Sequence, residues 1–246
     1  MINKLEKILA GLKIYSRDKK FLKNIRKSGR SLASYQLNLA LKNYCSTLSS
    51  IIDVGANMGQ FAIASSYIYP SAKIYSFEPD PDIFKILKEN TKDNNGIILF
   101  NKALGSSTGT LDFYRNDYSH ASSALPIHEN QKKLVPGTSN VSKISVEVDT
   151  LAGFLAENDL SKPVLLKLDV QGFEKEVLKG AGEKIKVVDY ILFETSFVEM
   201  YEGEPLFEEM HDYLSSLGFK IIAPVGFFQT SNFQIPQMDM LYKRSV

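Results

Sequence analysis

A glycine turn that carries an acid, Asp53-Val-Gly-Ala-Asn-Met-Gly59, is the first segment whose residue types suggest chemistry. Gly55 and Gly59 permit a tight turn and a close approach of the backbone to a ligand. The carboxylate of Asp53 would repel a pyrophosphate, and the G-x-x-x-G spacing differs from the G-x-G-x-x-G of dinucleotide-binding turns. The turn therefore predicts a site for a ligand that carries positive charge.

A second acid, Glu78, ends an apolar run in Phe77-Glu78-Pro79. A carboxylate at this place can accept hydrogen bonds from both ribose hydroxyls of a bound nucleoside. That feature alone serves nicotinamide cofactors equally well. Together with the acid in the glycine turn it favours S-adenosylmethionine, a nucleoside that presents an ammonium and a sulfonium.

Three further charged residues lie in or directly after two later apolar runs. Lys167 and Asp169 are two residues apart, so they lie on one side of a strand, and Glu194 ends the next strand. Three charges that converge at strand ends are expensive unless they are used or paired. Two compatible interpretations stay open here: a structural network of lysine and carboxylates, or a group that handles the proton of an acceptor hydroxyl.

Polar residues outside these runs provide further candidates. His120 and His128 lie in an irregular segment, where a histidine is either a base near neutral pH or a surface residue. Asp239, before the last apolar run, either binds an acceptor hydroxyl or ends a turn. No compact ligand cluster is visible, so we expect no metal, although Asp169 and Glu194 are oxygen ligands of the kind that hard cations prefer.

Short apolar runs that alternate with helical patterns must position these residues. This alternation predicts a mainly parallel sheet with helices on both faces. Residues 116–140, rich in Ser, Asn, His, Gly and Pro, predict a long loop or lid. The predicted strands are 51–54, 74–77, 97–100, 144–148, 164–168, 188–193 and a closing hairpin of 219–223 with 240–242, and the predicted helices are 5–12, 21–25, 32–41, 59–67, 82–90, 174–178 and 206–217.

The net charge of +1 conceals an asymmetry between a basic arm and the rest of the chain. Residues 1–30 carry +8, and the remaining residues carry −7. We therefore divide the chain into a basic N-terminal helical extension, residues 1–48, and one domain, residues 49–246. The arm is either a solvated extension or a contact for an anionic membrane surface or an acidic partner, and no nucleic acid is expected because it lacks a recognisable binding fold.

The composition favours a cytoplasmic protein. The single cysteine, Cys45, excludes an internal disulfide, and no apolar run is long enough to span a bilayer. The N-terminal residues do not resemble a secretory signal, because lysines interrupt their short apolar stretches. We expect a cytoplasmic location, with the arm allowing a peripheral position at the inner face of the membrane.

The order and spacing of the motifs resemble the FkbM-type family of S-adenosylmethionine-dependent methyltransferases, from about Ile51 to Tyr242. The resemblance includes both turns described above. Its further marks are Asn101-Lys-Ala-Leu-Gly105, Ser122-Ser123, Val148-Asp149-Thr150-Leu151, Leu166-Lys-Leu-Asp169-Val-Gln-Gly172-Phe-Glu174, Val177-Leu-Lys-Gly180-Ala181 and Glu194.

This resemblance implies an α/β protein with the class I methyltransferase (Rossmann-like) fold, a seven-stranded, mainly parallel sheet whose last strand is antiparallel. It also implies O-methylation, often of sugars during polysaccharide biosynthesis or of natural products. Glu78 would hold the ribose of S-adenosyl-L-methionine, and Asn101 and Ala103 would lie near its adenine. The methionine end of the cofactor would be shaped by Asp53, Gly55, Asn57 and Gly59.

We expect Asp169 to orient the acceptor hydroxyl and take its proton, with Lys167 and Glu194 tuning that carboxylate. The acceptor, a small molecule or a glycan, would lie against His120, Ser122, Gln171 and Asp239. One position departs from the family: Gln171 stands where the family usually has a glutamate, so a charge is lost while the hydrogen-bonding shape is kept.

Two other functions compete with methyl transfer. A nicotinamide-dependent oxidoreductase is disfavoured by the missing G-x-G-x-x-G and by Asp53. A non-catalytic cofactor-binding module that docks a partner through the basic arm is disfavoured by the presence of both Asp53 and Glu78, because a scaffold needs neither.

Overall fold

The structure, a computed structural model, describes residues 29–245. The helices predicted at 5–12 and 21–25, and nearly all of the basic arm, lie outside the described residues. The helices are α1 (Leu32–Lys42), α2 (Gln60–Ile68), α3 (Pro81–Thr91), α4 (Glu129–Leu134), α5 (Leu151–Glu157), α6 (Glu174–Lys179) and α7 (Phe207–Ser216). The strands are β1 (Ser50–Val54), β2 (Lys73–Phe77), β3 (Ile97–Phe100), β4 (Ala103–Gly105), β5 (Gly109–Asn116), β6 (Val141–Thr150), β7 (Val164–Leu168), β8 (Tyr190–Ser196), β9 (Phe219–Phe228) and β10 (Gln237–Arg244).

A seven-stranded sheet in the order β3-β2-β1-β7-β8-β10-β9 forms the centre of the fold. The pairs from β3 to β8 are parallel, and β10 is antiparallel to both β8 and β9. The predicted sheet, with its antiparallel last strand and closing hairpin, is therefore confirmed. Strand β1 lies between β2 and β7, so the order of the strands reverses at β1. Open α/β sheets form ligand crevices at such a reversal.

The central strands are buried on both faces. Every residue of β1 and of β7 is buried, including the charged Asp53 and Lys167. Parallel strands covered by helices on both sides read as continuous apolar runs, which is why Ile51-Ile52 and Val164-Leu165-Leu166 could be recognised in the sequence. Two apolar clusters, one on each face, share these strands between them.

Helix α1 packs against α2, with Tyr35 of α1 and Ala64 of α2 in one buried cluster. Its Leu41 belongs to the same apolar cluster as Ile51 and Phe61. Ser31 caps its first turn by accepting a hydrogen bond from the Ser34 N–H at 3.3 Å. The part of the extension that the structure describes is thus packed onto the sheet domain. Over residues 29–245 no helix combines the length and apolarity that crossing a membrane requires.

A second sheet of three strands, β4-β6-β5, was not predicted as such. In this sheet β6 is parallel to β4 and antiparallel to β5. The loop or lid predicted over residues 116–140 is only partly correct, because that segment contains a 3₁₀ turn at Ser119–Ala121 and the helix α4. It packs through Ala121 and Ile127 onto Met200 and Tyr201, which are buried in a small separate cluster.

Candidate active site

A pocket opens at the carboxyl ends of β1, β2 and β7. Eight of the residues that the sequence predicted for a site line it: Gly55, Asn57, Glu78, Ala103, His120, Ser122, Asp169 and Gln171. The other predicted site residues, Asp53, Gly59, Asn101, Lys167, Glu194 and Asp239, do not belong to its lining.

The turn after β1 approaches the turn after β7 so closely that Gly55 is required. Gly55 has φ +79°, and a Cβ built on it would lie 1.9 Å from the backbone oxygen of Asp169. Asn57 also has a positive φ, 48°, and its Oδ1 accepts hydrogen bonds from the Met58 N–H at 2.8 Å and the Ser119 hydroxyl at 3.2 Å. The turn thus brings backbone of two strands and the 3₁₀ turn to one edge of the pocket.

Glu78 is buried at the end of β2, with both carboxylate oxygens held by backbone. Its Oε2 accepts from the Asn57 N–H and its Oε1 accepts from the Asp80 N–H, both at 2.9 Å. Burial raises the pKa of Glu78 to about 7, against the lowering effect of these two hydrogen bonds. A carboxylate has about four lone-pair sites, so each oxygen can still accept a hydroxyl from the pocket.

An ion pair lies beneath the pocket floor. Lys167 Nζ is 2.9 Å from Asp53 Oδ1 and 3.5 Å from Asp169 Oδ2, and it donates to the Gly55 carbonyl at 3.0 Å. Burial acts to lower the pKa of Lys167, but the attraction of Asp53 and Asp169 outweighs it and raises the pKa above its usual value. Because Asp53 is fully buried, it is placed to act through Lys167 and not on a ligand directly.

Gly59 and Asn101 support the pocket from outside it. Gly59 precedes α2 with φ +93°, and a Cβ there would lie 2.8 Å from Leu87 Cδ1, so its place is one of helix packing. Asn101 donates to the carbonyls of Glu78 at 2.9 Å and Pro79 at 3.1 Å, which fixes the loop that carries the buried acid.

Several acids surround the carboxyl end of β7. Asp169 follows this strand, Glu194 lies on β8, and Asp239 of β10 stands directly opposite Glu194. Burial and the repulsion of Asp169 and Asp239 raise the pKa of Glu194 well above its usual value. Burial, followed by repulsion from Asp169, raises the pKa of Asp239 to about 7. Space for Asp239 exists because Gly226 has no side chain: a Cβ there would lie 2.1 Å from Asp239 Oδ2.

The two candidate histidines differ in their surroundings. His120 is exposed at the pocket rim, 3.3 Å from Gln60 Nε2, and desolvation of its ring by the nearby chain lowers its pKa. His128 lies outside the pocket lining and caps α4 by accepting from the Asn130 N–H at 3.2 Å. The structure therefore places His120 in the pocket and gives His128 a local role in the fold.

The apolar wall of the pocket includes residues that sequence reasoning missed. Ile83, Leu104, Phe113 and Phe173 line it together with Ala103. Leu104 and Phe173 lay within quoted motifs but were not predicted as site residues, and β5, which carries Phe113, gave no recognisable pattern. Within residues 29–245, no group of three or more His, Cys, Asp or Glu side chains is arranged to hold a metal ion.

A family model for the methyltransferase FkbM domain matches residues 53–221, which is more than half of the chain. The chain belongs to the FkbM methyltransferase family. This FkbM methyltransferase is 27% identical over 218 residues to the 2-O-methyltransferase NoeI of Sinorhizobium fredii, covering 86% of this chain and 88% of NoeI. It is 32% identical over 146 residues to the hexuronic acid methyltransferase AglP of Haloferax volcanii, covering 58% of this chain and 54% of AglP.

A solved structure supports the fold. The magnesium protoporphyrin IX methyltransferase of Synechocystis, crystallised with bound S-adenosylmethionine, matches with a TM-score of 0.50 at 11% identity. The match covers 97% of this chain and 91% of that one. The FkbM methyltransferase described here therefore has the class I methyltransferase fold that the motifs implied.

Proposed function

We propose that this protein transfers a methyl group from S-adenosylmethionine to a hydroxyl oxygen of a sugar. The observation that carries the proposal is the pocket itself. It joins a buried strand-end acid, Glu78, to a second acid, Asp169, along an apolar wall, in a chain that belongs to a methyltransferase family. The names of NoeI and AglP, which denote a 2-O-methyltransferase and a hexuronic acid methyltransferase, support a sugar as the acceptor.

The residues present fit the chemistry of the cofactor. Glu78 offers oxygens to two ribose hydroxyls, and Phe113, Phe173 and Ile83 offer an apolar surface to a nucleobase. The turn at Gly55 and Asn57 would face the methionine end. When bound, S-adenosylmethionine supplies an activated methyl group.

Asp169 is the residue placed to serve the acceptor. Its side chain is 42% exposed and it lines the pocket, whereas Asp53, Lys167 and Glu194 do not. A carboxylate there can accept the hydrogen of an acceptor hydroxyl, align its oxygen and take its proton as the new bond forms. A positioned proton acceptor contributes about 10²–10⁴-fold to such a reaction.

Calorimetry with S-adenosylmethionine and with NAD tests the cofactor. We expect binding of S-adenosylmethionine only, and about a tenfold to hundredfold loss of affinity in Glu78→Ala, the range for a hydrogen bond to a charged group. Glu89→Ala, which removes an exposed acid of α3, is the matched control. Binding of NAD instead, or equal affinity in both variants, would refute the assignment.

Transfer of isotopically labelled methyl to a panel of neutral glycosides and hexuronic acids tests the reaction. Alkali-stable label identifies a methyl ether, and alkali-labile label identifies an ester on a carboxyl group. We expect stable label, lowered about 100-fold or more in Asp169→Asn with S-adenosylmethionine affinity retained. Label that alkali releases would contradict transfer to a hydroxyl, and binding without any transfer would favour the non-catalytic module.

A further inference from the structure

Gln171 lies between two of the acids at the sheet edge. Its Nε2 donates to Asp169 Oδ1 at 2.7 Å and to Glu194 Oε2 at 3.0 Å. One amide nitrogen carries two hydrogens, so both are used on carboxylates. A second amide also donates to Glu194: Gln237 Nε2 of β10 lies 3.0 Å from the same Oε2. Gln171 therefore bridges β7 to β8 at the point where their acids converge.

The orientation of the Gln171 amide is fixed by Tyr201. The Tyr201 hydroxyl donates to Gln171 Oε1 at 2.7 Å, and Tyr201 is fully buried. The amide oxygen is the nearer acceptor of that hydroxyl, since the Ala121 carbonyl lies at 3.3 Å. The amide NH₂ then faces the two acids, whose carboxylates accept hydrogen bonds. The Tyr201 hydroxyl in turn accepts from Gln131 Nε2 of α4 at 3.3 Å. The segment over the pocket is thereby connected to the bridge.

The backbone at Gln171 is also held in an uncommon conformation. Its φ is 57°, a left-handed value that few residues other than glycine adopt. Its carbonyl accepts from the Ser123 hydroxyl at 2.6 Å. Such conformations persist when the surroundings over-determine them, and they cluster at functional sites.

Asp169 is held on both of its oxygens. Gln171 binds Oδ1, and Lys167 Nζ lies 3.5 Å from Oδ2, while the side chain stays 42% exposed toward the pocket. These two partners fix the rotation of the carboxylate and leave lone pairs free on the pocket side. Lys167 alone would not do so, because its shorter contact, 2.9 Å, is to Asp53.

Building on the proposed methyl transfer, we propose that Gln171 is a positioning residue for the acceptor reaction. Its carboxamide, oriented by Tyr201, aligns Asp169 toward the acceptor hydroxyl and separates it from Glu194 without adding a charge. A glutamate at the same position would place a third carboxylate between the two acids. The neutral amide donates to both Asp169 and Glu194, and this allows the two acids to lie close together.

The surroundings of this bridge are strongly acidic, so the residue at position 171 should affect the titration of the neighbouring acids. Among residues 29–245, the titratable groups around the bridge are Lys167 on β7 and Asp169 directly after it, Asp53 on β1, Glu194 on β8, Asp239 on β10, Glu174 on α6, His120 in the 3₁₀ turn, and Tyr201 and Glu204 after β8. The hydrogen bond from Gln171 is among the influences that lower the pKa of Glu194, against burial and the repulsion of its neighbours.

Carboxyl-detected NMR titration of the full chain tests the bridge without any acceptor. We expect the pKa of Glu194 to rise by about one unit in Gln171→Met, the size of a lost hydrogen bond to a charged group, and further in Gln171→Glu. Tyr201→Phe should move it in the same direction, because the amide loses its anchor. Gln229→Met, at an exposed glutamine of the hairpin, is the control and should leave the titration unchanged.

Calorimetry with S-adenosylmethionine on the same variants separates this proposal from the proposed function. The bridge variants should keep the affinity of the wild type, because Gly55 and Glu78 are untouched. A Glu194 titration in Gln171→Met that coincides with the wild type would overturn the positioning role, whatever the cofactor result. If neither Gln171 variant folds, Tyr201→Phe decides: an unchanged titration there overturns the role and a raised pKa supports it.

Discussion

Replacing Lys167 by methionine should destabilise the fold far more than the loss of an ordinary surface lysine. Lys167 is 7% exposed and its partner Asp53 is not exposed at all. Breaking a buried pair by removing one partner leaves an uncompensated charge, which costs about 3–5 kcal/mol. The matched control is Lys162→Met, because Lys162 pairs with Asp189 at 3.1 Å but is 57% exposed, and exposed pairs contribute about 0–1 kcal/mol.

The charge left on Asp53 also predicts how this loss depends on pH. Its carboxyl escapes the penalty by protonating, and this costs about 1.4 kcal/mol for each pH unit above an unfolded pKa of about 3.9. The penalty is therefore capped at about 4 kcal/mol at pH 7 and at about 1.5 kcal/mol at pH 5. In Lys167→Met the folded pKa of Asp53 lies above its unfolded value, so stability is lost as pH rises from about 4 upward.

Urea unfolding followed by circular dichroism at both pH values measures these differences, since the chain contains no tryptophan to report by fluorescence. The double variant Asp53→Asn with Lys167→Met removes both charges and should recover most of the stability at pH 7. A loss in Lys167→Met no larger than that in Lys162→Met, or a loss that does not shrink between pH 7 and pH 5, would refute the buried ion pair.

Three further predictions follow from the same geometry. Since the pKa of Glu78 is raised to about 7 and its carboxylate is the form that accepts ribose hydroxyls, S-adenosylmethionine affinity measured by calorimetry should fall as pH drops below 7, and Glu78→Gln should abolish that dependence. Burial raises the pKa of Glu174 to about 8, so this residue stabilises the fold least at high pH, where its carboxyl is ionised. In Glu174→Gln, the fall of the free energy of unfolding in urea between about pH 4.5 and 8 should become shallower by about 1.4 kcal/mol per pH unit. An unchanged slope would contradict this. Gly137→Ala, which has φ +94° but open space around it, should lose only the conformational strain, about 1–3 kcal/mol. Gly55→Ala should lose more stability than this, and cofactor binding as well, because its Cβ would meet the Asp169 carbonyl; equal effects would contradict the close approach of the two turns.

The main sheet could be predicted because its strands carry a strong local signal. Val164–Leu168 is buried at every position, and such strands appear as uninterrupted apolar runs bounded by turns. The predicted strand 97–100 agrees with the structure at both ends. The resemblance to a known family supplied the antiparallel last strand, which no local pattern encodes.

The second sheet could not be predicted from the same kind of signal. Strand β5, Gly109–Asn116, has only Phe113 and Asn116 buried, so its sequence shows no clean alternation. Its pairing with β6 joins residues some thirty positions apart across the irregular segment. Helix α4 gives no amphipathic pattern either, because Glu-Asn-Gln-Lys-Lys-Leu is polar up to its last residue and buries only Gln131. These elements depend on tertiary contacts and not on local propensity.

The site was predicted in part, for a similar reason. Strand ends identified Glu78 and Asp169, because carboxyl ends of parallel strands meet at one edge. The burial of Asp53 and Lys167 away from the pocket depends on how deep each residue lies within its strand, and period-two spacing gives the side of a strand but not the depth. Tyr201 had no signal, because it acts through Gln171 from a distant segment.

The acids of β8 and β10 beside the pocket form an arrangement that destabilises the sheet. Glu194 and Asp239 stand directly opposite each other on antiparallel strands, a position in which like charges are destabilising. The sheet makes room for the pair through Gly226, and a glycine in a strand is itself unfavourable. Neither feature helps the sheet to form, and both lie beside the Gln171 bridge and the exposed carboxylate of Asp169. Because β1 and β7 at the centre of the sheet are buried at every position, the loss falls at the strand ends beside the pocket, where a fold can use strain and charge for chemistry.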